Sequence, residues 1–459
     1  MIRATIKTKQ MKKAFVILAM ILLSGFACSR SPEDDEEEIK PQSLAWNTFL
    51  GGESIDRAFS CAVDDNGNIY VLGNSDLTWG NPLNPYSRPA SGDVFLAKLD
   101  ADGNLLWHTF LGGDGDDQGR GIAVDESGNI YVSGKSNVSW GKPLRPFTAD
   151  YSFDAFTARL DANGVLQWNT FLGAKNADSG EGIAVDRSGN VFITGTSSYS
   201  WGTPLHPHSS NPSSPDDAFV AKLGASGNLQ WNTFLGSGDG KGIAVDRNGD
   251  VCFTGSNSFS WGEPLIPFHG GWDIQVAKLD TNGARQWHTY LGGSFAEFAS
   301  ACAVDSSGNI YVSGYGYETQ SDNESGLTDA FVAKVDAGGA LQWQTFLGGD
   351  GYDVARGIAV FQDTNITVTG DSGATWGDPE NPFIGSTYGW GDAFLASLNA
   401  QGGLQWNTFL GGTGMENGGG IDVDRFGNTI IAGWSNSSWG IPLRPFDYTQ
   451  DAFVAKFTK

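Results

Sequence analysis

The chain has 459 residues, 64 of them glycine and 16 tryptophan, and a formal net charge of −24. So large an excess of acid argues against nucleic acid as a partner and against charge-driven binding to anionic lipid head groups. Length alone would divide the chain into two or three domains, but an internal repeat overrules that division.

Residues 11–28 read MKKAFVILAMILLSGFAC. Two lysines precede an apolar run, and small residues then lead to Cys28. The pattern predicts a signal peptide over 1–27, with Met11 a natural start, and the run is too short to span a bilayer as a mature helix. Cys28 resembles the processing site of a bacterial lipoprotein, although Gly25 stands where that pattern has Leu. The resemblance makes Cys28 the lipid attachment site and places the protein outside the cytoplasm, lipid-anchored to a bacterial outer membrane. Ordinary secretion with a free Cys28 is the alternative. Residues 28–43 hold six consecutive acids and no core-forming run, which predicts a disordered tether. This acidic run resembles the surface-export signals of some Bacteroidetes-type lipoproteins. The other reading is a plain spacer.

From residue 44 one phrase recurs: LAWNTFL, then LWHTFLGG, then QWNTFLG. Its Trp falls at Trp46, Trp107, Trp168, Trp231, Trp287, Trp343 and Trp406, at intervals of 61, 61, 63, 56, 56 and 63. A period near 60 marks a supersecondary unit that must stack on its neighbours to bury its apolar faces. Within residues 121–173, GIAVD (121–125) is short and small. NIYVSG (129–134) and DAFTARL (154–160) alternate as strands do, and VLQWNTFLG (165–173) completes a set of four. ESGN and DANG between them are turn chemistry. No segment has helical periodicity. Four antiparallel strands repeated seven times predict an all-β fold, a seven-bladed β-propeller over residues 44–459. The Gly- and Ala-rich strand should be innermost and the Trp strand outermost.

GIAVDESGNIYVSG together with DAFVAKLD resembles the bacterial β-propeller repeat family often called SBBP repeats and is more distantly similar to NHL repeats. The resemblance implies the fold and no single activity. Two copies depart from it. Residues 357–370 read GIAVFQDTNITVTG, without the Asp and Gly of the turn, and residues 314–326 replace the SWG loop of the other repeats. The chain starts on an outermost strand and ends on DAFVAKF, a third strand. Strand 44–50 should therefore pair with 451–457 and join the ends of the ring.

Tight turns lie on one face of such an array and long loops on the other, where binding usually sits. Trp79, Trp140, Trp201, Trp261, Trp376 and Trp439 recur in SWG or TWG loops and read as packing residues. Trp272, Trp390, Trp434, Tyr315 and Tyr317 fall outside the repeat pattern and are the candidate ligand-binding residues. Asp64, Asp125, Asp186, Asp246, Asp305 and Asp424 precede tight turns and read as turn caps. Cys61, Cys252 and Cys302 occupy apolar strand positions and read as small buried hydrophobes, without a disulfide framework.

DADGN (100–104) and DGDDQG (114–119) leave calcium as the one cofactor alternative to none, without a full ligand set. His206 and His208 lack further metal ligands. His108 and His288 stand where Asn169 stands and read as exposed packing residues. No catalytic residues are assigned, because the sequence has no G-x-S-x-G, H-E-x-x-H or phosphate-binding loop. The leading expectation is a non-enzymatic, lipid-anchored scaffold that binds a protein or glycan through the long-loop face. The alternatives are a glycan-acting lyase or hydrolase with acids near the axis, and a purely structural envelope protein. An axis lined by inward carboxylates or His would favour the enzyme. One lined by Gly, Ala and hydroxyls would favour binding.

Overall fold

The computed structural model describes residues 40–87, 92–317, 327–385 and 391–459, and every regular element among them is a β-strand. The signal segment, Cys28 and the acidic run through Ile39 lie outside the described residues, as do Trp390 and residues 318–326.

One unit comprises Asp56–Val63, Ile69–Ser75, Asp93–Leu99 and Leu105–Leu111, hydrogen-bonded antiparallel in that order. The sheets beginning at Asp117–Val124, Glu297–Val304 and Asp353–Phe361 repeat this order. Their tight turns are set by the recurring Asp. Asp125 Oδ1 accepts from the N–H groups of Ser127 and Asn129, both at 2.9 Å, and Oδ2 accepts from the Tyr131 hydroxyl at 3.0 Å. The turn that lacks Gly instead puts Gln362 and Asp363 at φ 52° and 62°. Asp363 Oδ1 accepts from Ser306 N–H of the neighbouring unit at 2.8 Å.

Two of the units expected from the sequence share one strand. Leu229–Val245 runs for 17 residues and pairs with Asp217–Leu223 and then with Val251–Asn257, giving a seven-stranded sheet. The reason is length. The connection LGSGDGKG is shorter than LGGDGDDQGRG, so the chain crosses from one unit to the next while still extended, bending at Gly236 with φ 86°.

The sixth sheet combines both ends of the described chain. Ser43–Leu50 pairs antiparallel with Asp451–Thr458, placing Trp46 opposite Lys456 and Leu50 opposite Ala452. Gln42 is already buried and donates from Nε2 to the Gly427 carbonyl at 2.7 Å.

The core lies between adjacent sheets. Third strands are buried on both faces: Phe95, Ala97 and Leu99 pack toward one neighbour, Val94 and Leu96 toward the other. Side-chain alternation along a strand makes this division possible. First strands lie side by side in chain order, and Glu416–Val423 lies beside Asp56–Val63. Small residues permit this approach. At Gly121 a Cβ would sit 2.7 Å from the Glu181 carbonyl oxygen and 3.1 Å from the Ile183 side chain, both on the next first strand.

Candidate binding cavity

The first strands converge on a cavity of about 840 Å³. Its floor is a layer of equivalent positions: Cys61, Ile122, Ile183, Ile243, Cys302, Ile358 and Ile421. Two residues earlier on each strand stand Phe59, Arg120, Glu181, Lys241, Ser300, Arg356 and Gly419, and all seven line the cavity. Two residues earlier again, the first and second strands pair as Arg57 with Asn74, Gln118 with Lys135, Ser179 with Thr196 and Asp239 with Ser256. Phe298 pairs with Tyr315, Val354 with Asp371 and Asn417 with Trp434. Flanking positions repeat almost unchanged, but these differ in nearly every unit. The ends carrying them are those from which the long connections leave, beside Asp56, Ser75 and Asp93.

Four cations line the cavity, Arg57, Arg120, Lys241 and Arg356, with two carboxylates, Glu181 and Asp239. Lys241 Nζ lies 3.2 Å from Asp239 Oδ2. Burial alone would pull the Lys241 ammonium down, but Asp239 and Glu181 outweigh it and hold it above the usual lysine range. Arg356 is clamped by Asp371, which is 1% exposed and also accepts from Asn417 Nδ2 at 2.7 Å. Arg120 lies over the Phe59 ring at 5.2 Å, with Nη2 donating to Gln118 Oε1 at 3.0 Å and Nε 3.9 Å from Glu181. Arg57 lies over the Trp434 ring at 5.6 Å, and its Nε donates to Gln450 Oε1 at 2.5 Å. Among the described residues Arg57 forms no ion pair within 4 Å. Behind this wall Lys135 is held below the usual lysine range, by burial first and then by the charge of Arg120.

Of the residues singled out by sequence, Trp434 and Tyr315 line the cavity. Tyr315 stacks on Phe298 with centroids 5.1 Å apart, and Trp272 meets the Phe298 ring at 5.8 Å. Tyr317 is half-buried just past the strand end at Gly316. Trp79, Trp140, Trp201, Trp376 and Trp439 are buried and Trp261 half-buried. Trp140, for example, meets Phe156 edge-on at 5.3 Å and Phe171 at 6.2 Å. Arg57, Phe59, Arg120, Lys241 and Arg356 were not singled out by sequence. The signal available for them was loss of the repeat at fixed positions inside otherwise repeating strands.

The other candidate chemistry is local. Asp100 Oδ1 accepts from its own turn at Asp102 and Asn104, at 3.0 and 2.9 Å. His208 Nδ1 accepts from Ser210 N–H at 3.0 Å, and Nε2 lies 3.1 Å from the Ser197 carbonyl oxygen, so both ring nitrogens are engaged. Among the described residues no group of three or more His, Cys, Asp or Glu is placed to hold a metal ion. His108 and His288 correct the expectation of exposure: they are 3% and 0% exposed, because the outermost strand turns them under the SWG loop. The His108 ring lies parallel to that of Trp79 with centroids 3.8 Å apart.

Residues 106–139, 167–199 and 286–319 match the SBBP family, described as "Beta-propeller repeat". The chain carries SBBP repeats. Each matched segment starts in an outermost strand and continues through the first and second strands of the following unit. An "Uncharacterized WD repeat-containing protein" of Acanthamoeba polyphaga mimivirus is 22% identical over 537 residues, covering 90% of this chain and 38% of that protein. "Regulatory protein FlaEY" of Caulobacter vibrioides is 23% identical over 438 residues, covering 85% of this chain and 44% of that protein. The SBBP-bearing chain thus spans less than half the length of either relative. Among solved structures, the Neurospora crassa Pan2 WD40 domain is similar with a TM-score of 0.49 and 8% identity, covering 90% of this chain and 95% of that one.

Proposed function

We propose that the repeats form one closed seven-bladed β-propeller over residues 44–459 and that it is a non-enzymatic binding scaffold whose partner engages the central cavity. Support for closure comes from the pairing of Ser43–Leu50 with Asp451–Thr458 and from the first strands neighbouring one another in a cycle. The observation that carries the binding role is the layer at Phe59, Arg120, Glu181, Lys241, Ser300, Arg356 and Gly419. A repeat array keeps what packing needs in every copy. Residues that differ in nearly every copy at one exposed wall have a use that packing does not supply. Glu181 and Asp239 each sit beside a cation, which suits fixed charge better than proton transfer between paired acids.

Export and a lipid anchor at Cys28 on a bacterial outer membrane, with 28–43 as tether, complete the proposal and rest on the sequence alone. Two experiments test it. The full chain and an Arg57→Ala/Arg120→Ala variant are compared by pull-down from envelope extracts and on glycan arrays. Capture that disappears in a folded variant supports the cavity reading, and capture that survives overturns it. Fractionation of cells expressing Cys28→Ala tests the anchor, which requires the protein to leave the membrane fraction.

A further inference from the structure

Only 28 residues of this chain are Lys or Arg, against 52 Asp and Glu, yet four of the cations meet in one cavity against two acids. Clefts lined by one sign of charge concentrate ligands of the other. Two of the four cations are held by carboxylates, Lys241 by Asp239 and Arg356 by Asp371. The other two are propped on aromatic rings, Arg57 on Trp434 and Arg120 on Phe59. A guanidinium lying over a ring uses its face on the ring and keeps its N–H edge for in-plane hydrogen bonds. Arg57 places its Nε on the neutral amide of Gln450. Arg120 reaches its nearest carboxylate, Glu181, at 3.9 Å, beyond hydrogen-bond distance.

Arg57, Phe59 and Arg120 also line a smaller adjoining cavity of about 330 Å³, so the two guanidiniums stand where the cavities meet. Asp76, Asp116 and Asp117 lie on the wall of that smaller cavity. Burial holds the Asp76 carboxyl above its usual range, with the charge of Arg57 pulling it down and that of Asp116 pushing it up.

We infer that Arg57 and Arg120, with Phe59 between them, form a subsite that takes the carboxylate of a small ligand entering the central cavity. A planar carboxylate matches the guanidinium fork. The larger cavity's excess of two positive charges suits a singly charged ligand better than a dianion beside Glu181 and Asp239, and the acids of the smaller cavity favour a single charge further. The inference rests on the cavity being the binding site and names what it holds.

The test is calorimetric titration of the full chain, at low and at physiological salt, with galacturonate, gluconate, inorganic phosphate and galactose. Galacturonate and gluconate are expected to bind, more weakly at the higher salt, and galactose is not. Arg57→Ala and Arg120→Ala should each weaken carboxylate binding at least tenfold, and Arg57→Lys by less, with thermal midpoints confirming that each variant folds. Preference for phosphate, equal binding of galactose, or carboxylate binding indifferent to both arginines would overturn the subsite. If carboxylates fail while envelope-extract capture still depends on the cavity, the scaffold reading stands and this inference falls. If neither depends on the cavity, both fall.

Discussion

A side-chain amide in the outermost strand and the carbonyl of a loop Trp hold each long loop onto its own sheet. Asn169 Nδ2 donates to the Trp140 carbonyl at 2.8 Å, and Asn47, Asn232 and Asn407 do the same for Trp439, Trp201 and Trp376. Where the sequence has His, Nε2 takes the place of the amide, 2.7 Å from the Trp79 carbonyl oxygen for His108 and 2.9 Å from that of Trp261 for His288. Burial holds both imidazoles below the usual histidine range, His288 at about 4. Both are therefore neutral near pH 7 and donate as the Nε2–H tautomer. The repeat without an SWG loop carries Gln344 at this position, exposed. His108→Asn should keep the bond and change stability by less than about 1 kcal/mol. His108→Leu leaves a buried carbonyl unpaired and should cost about 1–3 kcal/mol. Urea midpoints decide, and equal losses in the two variants would assign the role to ring stacking alone. The outermost Trp works between sheets. Trp168, Trp231, Trp287 and Trp343 donate from Nε1 to Ala225, Thr281, Ala337 and Ala400 of the next unit's turn, at 2.9–3.3 Å. Trp168→Ala should cost about 3–5 kcal/mol in the same assay.

Where one sheet meets the next, the start of a third strand and the start of the following first strand bring two buried acids together. Asp451 faces Asp56, Asp93 faces Asp117, Asp154 faces Asp178, Asp273 faces Glu297 and Asp392 faces Glu416. Asp329 and Asp353 both approach Gly348. Where Leu229–Val245 replaces a loop, Asp217 meets the hydroxyl of Ser209 and lies opposite Ser237. Burial, reinforced by the facing carboxylate, raises Asp56, Asp117 and Asp178 from 3.8 to about 7. The folded protein therefore holds protons that the unfolded chain releases between about pH 4 and pH 7. Stability from these groups is complete below pH 4 and falls as pH rises through 7. Asp100 and Asp424, held below the usual range net of burial by hydrogen bonds in their turns, act oppositely and lose their contribution on acidification below about pH 4. The urea midpoint should thus be higher at pH 5 than at pH 8. Asp117→Asn removes one such proton-holding carboxyl and should flatten that difference, by about 1.4 kcal/mol for each tenfold gain in proton affinity that folding gives the native Asp117. A midpoint that rises from pH 5 to pH 8 would contradict shared protons at these junctions.

At the scale of the molecule, what was legible in the sequence was what neighbours along the chain decide. Strand alternation in DAFTARL and the turn chemistry of DESGN are local, and they located the strands and the repeating unit. The acid pairs were not legible, because Asp93 and Asp117 belong to different units and meet only when the sheets stack. The cavity was half legible. Trp434 and Tyr315 stood out as aromatics beyond the repeat. Arg57 and Arg120 were not singled out, and they come to one wall only where the first strands converge.

The pairing of the two ends of the described chain carries the last prediction. Phe49 and Leu50 are 1% and 0% exposed, and Phe49 meets Phe446 at 5.5 Å and Trp439 at 6.1 Å, both edge-on. Removing residues 1–50 takes these side chains from the core and leaves Asp451–Thr458 with a bare edge of N–H and C=O groups. Losing a buried Phe or Leu typically costs about 2–5 kcal/mol each, and an open edge invites pairing with another chain. The truncated protein should melt well below the parent and self-associate in sedimentation velocity. A synthetic peptide of residues 43–50, SLAWNTFL, supplied in excess should raise the melting temperature and suppress association, because it restores the same ladder from outside the chain. The peptide with Phe49→Ala and Leu50→Ala should do neither. If truncation leaves melting and sedimentation unchanged, the terminal strand is an accessory and the proposed closure does not depend on it.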